Sequence, residues 1–420
     1  QTQCINEIAS DMCKPLRMLR LLQGDVGSGK TLVAMISILT AIYNNKQAAL
    51  MVPTEILANQ HFESFLSLLP KFLKIDLLTG KTSKRDKEKI YKKIENGDTD
   101  IIIGTHALFQ EKLNFKNLGF VAIDEQHKFG VHQRLLLTSK NNNLLPDILL
   151  MTATPIPRTL ELTTYGSMSV SKITEKPVGR QSIKTAAKPI TKLEETIISL
   201  KKTIKQNKKI YWVCPLIEES EKIDLAAAQQ RYEALQKCYP NNVLLIHGKM
   251  KSDERDEIMN KFKYGKTKIL VSTTVIEVGI DIPEATVMVI EHAERFGLSQ
   301  LHQLRGRVGR GSSQSSCLLL YQNPLGLNAK KRIEVLRKTN DGFIIAEQDL
   351  KLRGSGEILG TRQSGFQIFK IANLNEHGDL LDLANKKAKD IVSKKAISDD
   401  LKLLLRLFSK DEALKYLDAG

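Results

Sequence analysis

The residues best equipped to do chemistry begin at Gly24. Gly24-Asp25-Val26-Gly27-Ser28-Gly29-Lys30-Thr31 fits the spacing G-x-x-x-x-G-K-[ST]. Glycines at those places let successive backbone N–H groups turn inward around an anion, and a helix starting at the loop's end adds positive potential. In such a loop Lys30 reaches the outer phosphates of a nucleoside triphosphate and Thr31 ligates Mg²⁺. The alternative is a glycine-rich turn that binds nothing. Asp124-Glu125-Gln126-His127 closes a long apolar run. A carboxylate at the end of a buried strand beside a phosphate loop is placed to hold the metal. Asp124 is therefore expected as a Mg²⁺ ligand with Thr31, and Glu125 as the group that orients or deprotonates a water. An acidic cap on the following helix is the competing reading.

The third cluster is cationic: Gln303-Leu304-Arg305-Gly306-Arg307-Val308-Gly309-Arg310. Arginines packed this densely are poor core material, because a buried guanidinium must be paired. On a helix, Arg307 and Arg310 stand at i and i+3 and share one face, where both could meet a phosphate presented from elsewhere. An arginine used in this way contributes about 10³–10⁵ in rate, or about 4–7 kcal/mol. A basic face for nucleic acid or solvent is the alternative.

These groups can meet only if the chain builds a frame that delivers them to one place. The first half alternates short apolar runs with amphipathic stretches, the pattern of βαβ units. Strands are predicted at 20–23, 48–52, 75–78, 100–104, 120–124 and 148–152, with helices at 31–43, 55–69 and 85–95. Ile101-Ile102-Ile103 and Val121-Ala122-Ile123 do not alternate, so both faces of those strands should be covered, as in a parallel sheet. A turn-rich passage holding Pro155, Pro157, Gly166, Pro177 and Gly179 reads as the end of one lobe and a linker. The alternation then resumes, with strands predicted at 209–213, 243–246, 268–272, 287–291 and 316–320 and helices at 224–238, 252–262 and 299–306. From about residue 328 the pattern turns helical and basic, apart from a glycine-rich interruption at 354–365. The expected fold is α/β: two tandem doubly wound parallel-sheet lobes, 1–165 and 191–327, joined by a linker at 166–190 and followed by a helical region at 328–420.

Composition bounds the partners. The chain has 420 residues, 63 Lys+Arg against 47 Asp+Glu and a formal charge of +16, a balance that favours a polyanion through steering and counterion release. Aromatics make up 5%, with Trp212 the single tryptophan; that suits tracking along a duplex better than stacking on single-stranded bases. Cys4, Cys13, Cys214, Cys238 and Cys317 show no metal-binding spacing and are odd in number, so they read as reduced thiols in a cytoplasmic protein. No apolar run approaches a membrane span, and no signal peptide opens the chain. It begins at Gln1 rather than Met, so an upstream portion is expected.

The order of motifs resembles a superfamily 2 helicase and, in detail, the RecG family. GDVGSGKT, MVPTEILANQH, IIIGTHALFQ, DEQHKFGVHQR, MTATPIPRTL, YWVCPLIEES, IHGKMK, STTVIEVGIDIP, HQLRGRVGRG and DLKLRGSGEILGTRQSG carry the resemblance from Gln1 into the 360s. It implies two RecA-like lobes, an ATP and Mg²⁺ requirement, and a monomer acting on branched duplex DNA mainly through phosphates. Catalytic roles fall on Lys30, Glu125, Gln303, Arg307 and Arg310. Gln1 takes the place of the adenine-reading glutamine, while Gly279 and Asp281 join Gly24 to Thr31 and Asp124 around the nucleotide. Pro53, Thr54, Glu55, Thr105 and His106 fall in segments lining the nucleic-acid path, as do Thr273, Thr274 and Glu277. Thr152 and Thr154 would link nucleotide state to DNA grip, and Arg332, Arg353 and Gln363 fall in the family's translocation hairpin. For these residues plain core or capping roles are the alternative. Family members also carry an N-terminal wedge that splits branched DNA, whereas this chain starts at the motor. Three other readings stand beside this one: a transcription–repair coupling motor, an RNA helicase of the same superfamily, and an ATP-liganded DNA-binding module that needs a wedge in trans.

Overall fold

In the computed structural model, residues 1–109, 113–125, 145–153, 168–175, 181–215, 221–273, 282–309, 311, 313–360, 377–393 and 398–408 are described. Arg310, Thr154, Thr274, Glu277, Gly279, Asp281, Gln363 and the side chain of Arg353 lie outside them. Two α/β lobes fall within one compact unit, Gln1–Ile156 with Met168–Leu352; a second unit takes in the chain from Arg353 onward.

Lobe 1 runs α1 (Thr2–Met12), β1 (Leu19–Gly24), α2 (Lys30–Tyr43), β2 (Gln47–Met51), α3 (Glu55–Leu68), β3 (Ile75–Leu78), α4 (Lys84–Asn96), β4 (Ile101–Gly104), β5 (Leu118–Ile123), β6 (Asp147–Thr152) and β7 (Ser169–Ile173). Its seven strands are ordered β3-β4-β2-β5-β6-β1-β7, and every pairing is parallel. β2 and β4 are buried along their whole length, so their apolar residues do not alternate. Helix starts follow local chemistry. Thr54 caps α3 by accepting the Leu57 N–H at 3.4 Å, and Ser83 caps α4 by accepting from Asp86 N–H at 3.2 Å; α4 stops at Gly97 in the left-handed region.

Lobe 2 runs β8 (Lys184–Pro189), α5 (Leu193–Lys205), β9 (Lys209–Val213), α6 (Glu221–Cys238), β10 (Val243–Ile246), α7 (Ser252–Tyr264), β11 (Ile269–Ser272), β12 (Ala285–Ile290), α8 (Leu298–Arg305) and β13 (Ser316–Tyr321). Its six strands are ordered β10-β11-β9-β12-β13-β8, again all parallel. Beyond it come α9 (Leu327–Lys338) and α10 (Gly342–Gly360), and in the second unit α11 (Gly378–Ser393) and α12 (Asp399–Leu407).

The two sheet orders superpose strand for strand once β7 is set aside, and the agreement extends to single hydrogen bonds. Asp124 N–H donates to Met51 at 2.8 Å just as Glu291 N–H donates to Val213 at 2.9 Å. Val52 to Gly104 repeats as Cys214 to Ser272, and Thr105 to Leu78 as Thr273 to Ile246. Both acidic strand ends are followed by a residue in the left-handed region, Glu125 at φ 50° and His292 at φ 49°.

Two features differ from the sequence expectation. The segment 166–190 contains β7 on one sheet and β8 on the other; both are polar edge strands, with exposure patterns that an apolar search passes over. The glycine-rich stretch from 354 does not interrupt helix as far as Gly360, because α10 runs through it. All five cysteines are free, and burial pushes the Cys317 thiol up to about 12.

At the edge of sheet 1, Arg20 ties α1, β1 and β7 together. Its guanidinium is 9% exposed, meets Asp11 at 2.6 Å and Ser171 Oγ at 2.7 Å, and approaches Glu7 at 3.3 Å. Burial pushes the Asp11 carboxyl up, yet hydrogen bonds from Lys14 and Arg20 and their charges outweigh it and leave it below the usual carboxylate range. A depressed carboxyl stabilises the fold above its unfolded value and loses that contribution as pH falls through the folded one. Asp11→Ala should therefore destabilise lobe 1 by about 3 kcal/mol at neutral pH, because it leaves the buried guanidinium short of a partner, and the deficit should shrink below about pH 4. Urea unfolding of variant and unaltered protein at pH 7 and pH 3.5 checks this; equal deficits at the two values would refute it.

Candidate nucleotide site

Parallel strands bring their C-terminal ends to one edge, and a doubly wound sheet opens a crevice there. In lobe 1 the phosphate loop follows β1 and Asp124 follows β5, with β6 paired to both. Thr152, at the end of β6 and opposite Gln23, is 2% exposed. Sequence order thus places loop, carboxylate and threonine on adjoining strand ends.

The loop has the geometry that the glycines imply. Gly27 and Gly29 lie in the left-handed region at φ 76° and 91°, where side chains are strained. A Cβ on Gly24 would come within 2.4 Å of Ser28 Oγ. The Ser28 hydroxyl is buried and finds no hydrogen-bond partner among the described residues, a cost that a bound acceptor would remove. Lys30 is buried, its ammonium donating to the carbonyls of Gly24 at 2.8 Å and Asp25 at 2.9 Å. Gln1 lies over the loop: its side-chain amide donates to the Ser28 carbonyl at 2.8 Å, where a Cβ on Gly29 would collide with it. Thr31 follows Lys30 on the first turn of α2 and is half-buried.

Asp124 keeps only 15% of its side chain exposed. Burial alone would raise its carboxyl, but the hydrogen bond and charge of His61, the Lys30 ammonium and the Glu125 N–H together hold it below the usual range. His61 Nε2 stands 3.5 Å from Asp124 Oδ2, and the Glu125 N–H donates to Oδ1 at 3.0 Å. The left-handed backbone of Glu125 is uncommon for a residue with a side chain and costs about 1–3 kcal/mol. Such a residue set fits Mg²⁺–ATP: a turned-in amide loop, a buried hydroxyl without a described partner, a lysine, and a carboxylate kept ionised.

The arginine segment differs from the expected helix. α8 ends at Arg305, and Gly306 and Arg307 form the turn that follows. Arg307 is 7% exposed, and a Cβ on Gly306 would lie 3.2 Å from Val26 Cγ2 in the phosphate loop. Lobe 2 therefore abuts the loop of lobe 1 at Gly306, with Arg307 the next residue; Gln303 is half-buried on α8. Composition hid two other residues. His302 places Nε2 3.1 Å from Asp25 Oδ1, and Arg305, 2% exposed, holds His302 Nδ1 at 3.1 Å and the carbonyls of Leu336 and Thr339 at 2.7 and 2.9 Å. Arg305 thus satisfies the rule that a buried guanidinium needs partners. A second bridge joins Lys81 of lobe 1 to Asp253 and Asp256 of lobe 2; those carboxylates hold its ammonium well above the usual lysine range.

Several residues expected along the nucleic-acid path also have structural duties. Thr54 is the cap of α3, and Pro53 precedes it. Glu55 accepts the Lys81 N–H at 3.0 Å. Thr105 and Thr273 occupy equivalent positions in the two sheets, and their buried hydroxyls find no partner among the described residues. His106 is exposed beside Thr105. Arg332 donates to the carbonyls of Phe296 at 2.9 Å and Glu294 at 3.1 Å, pinning α9 to the end of lobe 2. Among the described residues no group of three His, Cys, Asp or Glu side chains could hold a metal by itself, and no helix is long and apolar enough to cross a membrane.

Comparison with known proteins agrees with this geometry. Residues 1–163 match the DEAD/DEAH box helicase model, 190–312 the helicase conserved C-terminal domain, and 339–408 the C-terminal part of domain 3 of the ATP-dependent DNA helicase RecG. The ATP-dependent DNA helicase RecG of Aquifex aeolicus is 49% identical over 98% of this chain and 52% of its own length. That of Escherichia coli strain K12 is 47% identical over 93% of this chain and 57% of its own length. A solved structure of RecG bound to a three-way DNA junction superposes with a TM-score of 0.74 at 44% identity, covering 91% of this chain and 50% of that one. The chain spans about half the length of these relatives, and it belongs to the RecG family.

Proposed function

We propose that this chain is the motor portion of an ATP-driven DNA translocase acting on branched duplex DNA, with lobe 1 holding the nucleotide and lobe 2 completing the site. The observation that carries the proposal is the contact of Gly306, the residue before Arg307, with a glycine loop that lies beside an ionised, half-buried Asp124. Close relatives named as DNA helicases, and a relative solved with a DNA junction, support the choice of DNA over RNA. So does the formal charge of +16.

Bound Mg²⁺–ATP would supply a phosphoanhydride whose hydrolysis is strongly downhill. The backbone N–H groups from Gly24 to Gly29 would hold the phosphates, with Lys30 leaving its two carbonyls to join them. Thr31 and Asp124 would ligate the cation, while Gly279 and Asp281 would close on the nucleotide from lobe 2. Glu125, held at the strand end by its left-handed backbone, would orient the attacking water and take its proton. Arg307 and Arg310 would neutralise charge developing on the far side, and Gln303 would donate its side-chain N–H there. Closure of the lobes would shorten the distance between two weak grips on DNA phosphates, one in the segments that hold Pro53, Thr54, Glu55, Thr105 and His106 of lobe 1 and one in the segment that holds Thr273 and Thr274 of lobe 2, with Thr152 and Thr154 linking nucleotide state to the grip. Arg332, Arg353 and Gln363 would pass that closure to the duplex. Only the difference in affinity between open and closed forms can drive such a cycle.

Two measurements test the reading. Lys30→Ala should keep the unaltered circular dichroism spectrum and lower ATP turnover at least about a hundredfold, and Glu125→Gln should lower it by roughly 10²–10⁴ while still binding nucleotide. Undiminished turnover in either variant would remove its assigned role. In a panel of cofactors, forked DNA should stimulate ATP hydrolysis more than linear duplex does, and RNA least; stimulation by RNA alone would overturn the choice of substrate.

A further inference from the structure

Asp25 sits inside the phosphate loop yet is tied from outside it. Its carboxylate Oδ1 accepts the Val26 N–H at 2.8 Å and lies 3.1 Å from His302 Nε2 of lobe 2, while its backbone carbonyl accepts from Lys30 at 2.9 Å. On the other side of the imidazole, Arg305 reaches Nδ1 at 3.1 Å. A guanidinium has protons and no acceptor, so Nδ1 must accept. That leaves the proton on Nε2, where it donates to Asp25. Arg305 is itself fixed by the carbonyls of Leu336 and Thr339 at the end of α9. His302 and Arg305 are almost wholly buried and Asp25 is half-buried, so water has little access to the imidazole and the arrangement is directional.

We propose that His302 is a positioning residue for ATP hydrolysis: its bond to Asp25, in the tautomer set by Arg305, holds the arginine turn of lobe 2 in register with the phosphate loop of lobe 1. The proposal rests on the reading that this loop binds and hydrolyses ATP. Its physical basis is short-range. His302 is four residues before Gly306, which packs on Val26, and five before Arg307. A bond from His302 to the residue before Val26 therefore fixes both ends of one short contact between the lobes. Lys30 shares Asp25 as a partner, so any displacement of Lys30 toward a phosphate acts on the residue that His302 holds.

The test uses the full chain with His302→Ala, His302→Gln, Asp25→Ala and the Asp25→Ala/His302→Ala double variant. Glutamine offers an uncharged side-chain N–H close to the place of Nε2 and cannot change tautomer. His302→Ala should lower kcat roughly tenfold, the worth of one hydrogen bond to a charged group, with KM for ATP moved less than about twofold, since the nucleotide's own contacts remain. His302→Gln should recover kcat to within about threefold. The double variant should be no worse than Asp25→Ala, because two halves of one bond cannot be lost twice. Independently of turnover, amide hydrogen exchange across residues 24–29 in nucleotide-free protein should be faster in His302→Ala and restored in His302→Gln. Unchanged exchange and unchanged kcat in His302→Ala would overturn the proposal, as would failure of His302→Gln to recover both. If the unaltered chain hydrolyses no ATP, the function reading falls, and the exchange measurement alone decides whether His302 positions the loop.

Discussion

A carboxylate buried at a strand end costs several kcal/mol unless its charge is met on the spot, and the architecture around Asp124 answers that requirement. Three partners reach it from three elements: His61 from α3, Lys30 from the start of α2 and the Glu125 N–H from the turn after β5. Each partner is also bound into something else. Lys30 closes the phosphate loop onto itself through the Gly24 and Asp25 carbonyls, and Glu125 takes a left-handed backbone in meeting its neighbour. The loop, the helix it starts and the turn at Glu125 are therefore not independent parts. Shifting any of them disturbs the compensation of one buried charge.

The same economy explains why the lobes touch where they do. Among the described residues lobe 2 meets the loop through small groups: Gly306 can approach Val26 because it has no side chain, and His302 meets Asp25 at Nε2. A further link, through Lys81, is made to an exposed carboxylate, Asp253, and a half-buried one, Asp256, where screening by salt keeps it weak. These contacts are directional and join small groups, and Ile56 of lobe 1 adds an apolar one by packing against the core of lobe 2.

Much of this was legible in the sequence because local rules and global fold agreed. Runs such as Ile101-Ile102-Ile103 declared strands covered on both faces, and the glycines of GDVGSGKT declared a loop that turns its N–H groups inward, with Gly27 and Gly29 in the left-handed region. The failures share a physical origin. β7 and β8 lie at sheet edges, where half the residues face solvent and apolar periodicity fades. His302 and Arg305 gained their roles from tertiary neighbours more than 30 residues away, Leu336 and Asp25 among them, and nothing in their own segment signals a buried position. Arg305 in particular stood among arginines that composition assigned to a surface. The supposed helical face of Arg307 failed for a local reason, since Gly306 ends α8 one residue earlier.

The strand-for-strand agreement of the two sheets carries a consequence for how the lobes divide their labour. Glu291 stands where Asp124 stands, and Arg231 on α6 grips it as His61 on α3 meets Asp124, with Trp212 adding a second donor. One layout thus carries two kinds of partner for its carboxylate. A guanidinium fork is permanently charged and locks its carboxylate into the scaffold. An imidazole at 3.5 Å is a lighter restraint, able to serve as donor with or without a charge of its own. The carboxylate of the first lobe is thus the more lightly held of the two, and that of the second is fastened from two sides.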